Sequence, residues 1–137
     1  MPVSFENQEQ NKIPERILIV SPDKLALSTF LAHVKKVVGQ GYSIAVLHSL
    51  MTAEEFQSCL TRLDTVGRWI LSYYARRKQG VSDPMTLLPA GFGERADVVL
   101  WFDLYATVPV VAKTPPEGAS MVSFIIESWK KRIGEGG

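Results

Sequence analysis

Short runs of apolar residues alternate along this chain with stretches whose apolar positions recur every three or four residues. Arg16-Ile17-Leu18-Ile19-Val20 is apolar on both faces, the pattern of a strand in a parallel sheet covered on both sides. Ser21-Pro22-Asp23 follows, and Ser21 reads as a helix cap with Pro22 at the first helical position. Leu27, Phe30, Leu31, Val34 and Val38 then share one stripe of a helix, which Gly39-Gln40-Gly41 ends because glycine tolerates the left-handed cap. His33, between the core positions of this helix, reads as a partly exposed residue.

A second unit repeats the plan. Ser43 to Leu47 is a strand, and Thr52-Ala53-Glu54-Glu55 has capping-box spacing, with Thr52 and Glu55 each bonding the other's backbone. Phe56, Cys59, Leu60 and Leu63 form a helical stripe in which Cys59 is a small core residue, and Trp69-Ile70-Leu71-Ser72 is a third strand. Strand, helix, strand, helix, strand implies parallel pairing with right-handed crossovers. Residues 76–95 break the pattern with Gly80, Pro84, Pro89, Gly91 and Gly93, leaving only Met85 to Leu88 as a short helix. Asp97 to Phe102 resumes as a strand. Val108 to Ala112 is another, placed at a sheet edge or made irregular by Pro109, which lacks an N–H. A turn over Thr114 to Gly118 leads to a closing helix with Val122, Ile125, Ile126, Trp129 and Ile133 on one face. Together these elements predict a three-layer α/β sandwich around a mostly parallel sheet of about five strands.

Composition narrows the functions. The 137 residues, 46% apolar and 21% charged, are expected to form one domain over residues 16–137, behind a polar, flexible N-terminal arm over residues 1–15. Fifteen Lys and Arg against fourteen Asp and Glu leave a net charge of +1. That excludes a polyanion binder held by bulk charge, though not a local basic patch. One cysteine excludes a disulfide framework and a cysteine-built zinc site, and two histidines argue against a His-rich metal centre. No metal or other cofactor is expected. No apolar run reaches the ~18 residues of a membrane span, and the polar start lacks the apolar core of a secretory signal. The expected location is intracellular, in cytoplasm or nucleus.

Candidate chemistry gathers where parallel strands end. Neither Gly-x-Gly-x-x-Gly nor a Walker-type loop follows the first strand; Ser21-Pro22-Asp23 stands there. The helix after it still offers N–H groups to the C-terminal rim of the sheet, so Ser21 and Asp23 are either an anion site or plain caps. His48 ends the second strand at the same rim, as a base, a ligand, a nucleic-acid contact or a structural residue. The hydroxyls of Ser72-Tyr73-Tyr74 end the third strand there too. Asp97 and Asp103 bracket the fourth strand roughly 20 Å apart, too far to share a proton, which leaves Asp23 and Asp103 as the closer carboxylate pair. No catalytic set can be assembled from these groups. Two basic clusters, Arg76-Arg77-Lys78 and Lys130-Lys131-Arg132, could grip phosphates or complement the closing helix's dipole.

The order of these motifs resembles the second RecA-like lobe of superfamily-two helicases, and the likeness spans residues 16 to 134. Arg16 to Ser21 resembles the lobe's opening strand. Ile44-Ala45-Val46-Leu47-His48-Ser49 before Thr52-Ala53-Glu54-Glu55-Phe56 resembles its strand, His-Gly turn and Glu-Glu-Arg helix, with Ser49 and Phe56 in place of the glycine and arginine. Trp69-Ile70-Leu71-Ser72 is similar to the strand into motif V of Swi/Snf-type remodellers, with Tyr73 at the threonine. Ala96 to Asp103 is similar to their Ala-Asp-x-Val-Ile-x-Phe-Asp strand, and Lys131-Arg132-Ile133-Gly134 to motif VI, where no second arginine follows Arg132. The resemblance implies a RecA-like or Rossmann-like fold and a degenerate lobe without ATP hydrolysis of its own, because motif VI arginines act on ATP held by a first motor lobe. It further implies binding of a protein partner or nucleic acid through Ser21, His48, Arg76, Arg77, Lys78, Lys130, Lys131 and Arg132, within an assembly that could supply that first lobe.

Two other readings remain. The start and Val108-Pro109-Val110-Val111 also resemble a response-regulator receiver. Its acidic pair and phosphoacceptor are replaced by Ser21-Pro22-Asp23 and Ser72-Tyr73-Tyr74, so it would be a pseudo-receiver working through protein contacts, with its first strand between the second and third. A small flavodoxin-like enzyme would need a pocket joining His48 to Asp103.

Overall fold

The computed structural model describes residues 15–39, 41–48, 51–75, 92–103 and 106–135. The elements are β1 (Arg16–Ser21), α1 (Lys24–Val38), β2 (Ser43–His48), α2 (Ala53–Val66), β3 (Trp69–Tyr74), α3 (Phe92–Arg95), β4 (Val98–Trp101), β5 (Val110–Lys113) and α4 (Ala119–Glu135). Five strands form one mixed, mostly parallel sheet in the order β2-β3-β1-β4-β5. β1, β2, β3 and β4 run parallel, and β5 pairs antiparallel with β4. The strands expected from the apolar runs are all present, and Pro109 sits just before β5 at the sheet's edge, where its missing N–H matters least. The expected helix over Met85 to Leu88 lies outside the described residues.

Side chains of β1 alternate between two cores, as the period of two requires. Leu18 and Val20 join Phe56, Cys59, Leu60 and Leu63 of α2. Ile17 and Ile19 join Phe30 and Val34 of α1 and Val122, Ile125 and Trp129 of α4. Phe30 is the hub of the second core: its ring meets Phe102 and Trp129 edge-on at 5.0 and 5.1 Å, a geometry the ring quadrupole favours. The Trp129 indole N–H also donates to the Thr107 carbonyl at 2.7 Å, tying α4 to the loop after β4.

Local signals explain the helix ends. The Thr52–Glu55 capping box forms as its spacing implies, with both reciprocal bonds present at 3.0 and 3.1 Å. At α1 the cap is different from the one expected. Ser21 is the buried last residue of β1, and Asp23 is the N-cap, its carboxylate accepting from the N–H groups of Leu25 and Ala26. Gly39 closes α1 with φ 84°, a backbone that glycine holds without strain.

The start of the sheet is fastened by Asp97, whose Oδ2 accepts from the N–H groups of Glu15 and Arg16, both at 3.1 Å. The Glu15 carbonyl in turn accepts from the Trp69 N–H at 2.8 Å. Glu15 is thereby tied to the start of the sheet; residues 1–14 lie outside the described residues. Among the described residues no helix is long and apolar enough to cross a membrane.

Candidate functional site

The parallel strands bring His48, Tyr74 and Ser21 into one row along the C-terminal rim, because His48 is in register with Tyr74 and Tyr74 with Ser21. Asp103 lies just past the end of β4 at the same rim. From Ser21 outward, each group already has a role in the fold. The Ser21 Oγ accepts from the Asp23 N–H at 3.0 Å. The Asp23 carboxylate, bonded to Leu25 and Ala26 N–H at 2.9 and 3.3 Å, places its own negative charge where an anion would meet the positive end of the helix. The cap reading of this segment accounts for both side chains, with Asp23 rather than Ser21 as the cap. Lys24 reaches over the Tyr74 ring, its Nζ 5.1 Å from the centroid, a cation–π contact. Tyr73 turns away from the rim into the α2 core, edge-on to Phe56 at 5.9 Å, and burial pushes its phenol above the ordinary range.

His48 is exposed at the end of β2. It lies close enough to Glu55 to help hold that carboxyl below its usual range, though the bonds from Thr52 do most of this, the one from its backbone first. Between His48 and Asp103 stand two intervening strands, β3 and β1. Three strand spacings of about 4.8 Å put the two side chains' strands roughly 14 Å apart. At that separation the two groups are beyond direct hydrogen-bond reach of each other, whereas the enzyme reading needs a pocket that joins them. Nor do Asp97 and Asp103 work as a pair: Asp97 is the clasp at the opposite end of β4. Among the described residues no group of three or more His, Cys, Asp or Glu side chains is placed to hold a metal ion.

Of the basic clusters, Lys130, Lys131 and Arg132 are exposed in the last turns of α4, with Lys130 bonded to Glu127 at 3.1 Å. Arg76, Arg77 and Lys78 lie outside the described residues. One residue expected near the surface is instead deep in the fold. His33 is only 5% exposed, because it lies between α1 and α4, where its Nε2 faces the Ile125 carbonyl at 3.2 Å and the Ser128 hydroxyl at 3.0 Å. A carbonyl only accepts, so the Ile125 contact is a hydrogen bond in the tautomer whose Nε2 carries the proton. Burial is the main cause holding its pKa below 6.5; the Ile125 bond opposes this, and the charges of Arg132 and Lys36 reinforce it. The signal was present in the spacing, since Phe30, His33 and Val37 stand three and four residues apart, one helical face.

No family model, curated protein or solved structure matches the chain. The likeness to helicase lobes is thus one of sequence motifs and their order.

Proposed function

We propose that this chain is a non-catalytic lobe of the helicase C-terminal kind, a three-layer Rossmann-like sandwich that acts by contact with a protein partner. One observation carries the reading: at the rim where such folds bind nucleotides, the Asp23 carboxylate occupies the first donors of α1, and Ser21 is turned onto Asp23. A phosphate placed there meets a like charge instead of free N–H groups. The order of strands supports the same reading. β1 lies between β3 and β4, with β4 and β5 following the strand that resembles motif V. A receiver-like sheet would instead set β1 beside β2, which does not touch it in this order. Purified protein is expected to leave ATP intact, with Arg132→Ala making no difference; turnover that Arg132→Ala abolishes would refute the proposal.

A second reading, nucleic-acid contact, is favoured by one local feature. Lys36 of α1 and Arg132 of α4 both act on His33, so basic residues of two helices converge on one region despite the small net charge. Binding through this region should weaken steeply with salt. Replacing Lys130, Lys131 and Arg132 by alanine should flatten the log–log salt slope by about 0.7–0.9 for each phosphate that is no longer neutralised. The same titration with Arg76→Ala and Arg77→Ala tests the other cluster. Salt-independent or absent binding leaves the protein-contact reading alone.

A further inference from the structure

The two edges of the sheet are built differently. β5 has Pro109 immediately before it, Lys113 at its end, and a register shift against β4 between Val99 and Leu100. Prolines, lysines and bulges are the devices by which exposed strands avoid pairing with other chains. β2 has none of them: Ser43-Ile44-Ala45-Val46-Leu47-His48 pairs with β3 in unbroken register over six residues. Ala45 and Leu47 turn toward α2. Ile44 and Val46, on the other face, remain 38% and 64% exposed. Beside β2 runs a groove of about 680 Å³ between strand and helix, flanked by Glu54 and Glu55 in the first turn of α2 and by Arg62 two turns on.

We propose that β2 pairs antiparallel with β2 of a second copy of this chain, about a twofold axis through Ala45, so that one sheet runs across both protomers. The axis stands perpendicular to the sheet and keeps each face on its own side, so only residues of equal parity can face one another. With Ala45 opposite Ala45, Ile44 falls opposite Val46 and Val46 opposite Ile44. Each exposed β-branched side chain gains a cross-strand partner of its own kind. The same rotation sets α2 antiparallel to its copy, which carries Arg62 toward the acidic first turn of the partner helix at both ends of the interface. This charge match selects the occupant: the groove's acidic and basic ends complement themselves once the chain is turned around. An isologous interface requires such self-complementarity. A short strand pair with one apolar strip is small beside the roughly 1,200–2,000 Å² of a stable interface, so the dimer is concentration-dependent.

Sedimentation equilibrium of the full chain over a dilution series tests this, with circular dichroism confirming that each variant is folded. The wild-type chain is expected to show a monomer–dimer equilibrium. Val46→Lys, at a position already open to solvent, puts two lysines into one apolar strip and should raise the dissociation constant at least about a hundredfold. Arg62→Glu should weaken the dimer, and adding Glu54→Arg should restore it. Facing residues of an antiparallel pair have Cα atoms about 4.5–5.5 Å apart, within disulfide range. Ala45→Cys in a Cys59→Ala background should therefore cross-link to itself on mild oxidation. A monomer at every concentration overturns the proposal, whatever other protein the edge accepts. So does a dimer indifferent to Val46→Lys, and a dimer that Ala45→Cys fails to cross-link overturns the register.

Discussion

Replacing Asp97 tests whether the carboxylate before β4 is a structural clasp or a chemical group. Its Oδ2 accepts two backbone N–H groups, from Glu15 and Arg16, each at 3.1 Å. A hydrogen bond to a charged acceptor contributes about 1.5–3 kcal/mol where water is excluded. The Arg16 bond is half-buried and the Glu15 bond exposed, so the first takes a value inside that range and the second much less. Asp97→Ala is then expected to cost about 2–3 kcal/mol, since it leaves the Arg16 N–H half-buried without its acceptor. For a chain of 137 residues each kcal/mol moves the midpoint by about 3–5 °C, so Tm should fall by roughly 6–15 °C. Asp97→Asn keeps one oxygen in place without the charge and should lose about half as much. Urea denaturation at constant m-value, read beside a thermal melt, gives both numbers. A loss for Asp97→Ala within about 0.5 kcal/mol of zero, the range of an uninvolved surface position, would refute the clasp.

Three further substitutions probe the helices. Burial is the main cause that holds the His33 pKa below 6.5 in the fold, so the unfolded chain binds more protons there and stability rises with pH. That contribution is complete above the unfolded pKa and is lost as pH falls below it toward the folded value. Urea midpoints taken either side of 6.5 should show this slope in the wild type, and His33→Leu should flatten it; an unchanged slope would place the acid sensitivity elsewhere. Thr52→Ala breaks one half of the capping box and should cost about 1 kcal/mol. Glu55→Ala should cost a similar amount and the double variant less than their sum, because the two bonds form together; strict additivity in a double-mutant cycle would contradict that coupling.

Much of this architecture can be read from the sequence because its local signals agree with the fold. The apolar run of β1 is wholly buried, the Thr52–Glu55 spacing makes the cap it encodes, and Phe56, Cys59, Leu60 and Leu63 all face the core. What could not be read depends on contacts between segments distant in sequence. Asp97 meets Glu15 and Arg16 across more than eighty positions, and His33 meets Ile125 and Ser128 across more than ninety; no local pattern encodes either partner. At the start of α1, Ser, Pro and Asp all favour a helix start, so the pattern alone does not single out the cap. The choice among them fell to β1, which extends one residue further to keep Ser21 in register with Tyr74. At the rim, the sequence offered His48 and Asp103 as a pair, and only the order of strands separates them.

That order also explains why β2 is the unsettled element of the molecule. The apolar run from Ile44 to Leu47 would suit a place inside the sheet, between two strands. Instead β3 takes the place beside β1 and β2 becomes the outer strand, with Val46 left more than half exposed. The opposite edge meets the same exposure with Pro109 and Lys113. An apolar, β-branched strand without charge or proline is unfavourable in that position for a lone chain, and pairing would relieve the cost at once: it satisfies the outward backbone groups of β2 and covers Ile44 and Val46 together. Along the C-terminal rim, by contrast, Asp23, Ser21 and Tyr74 already have partners within the fold.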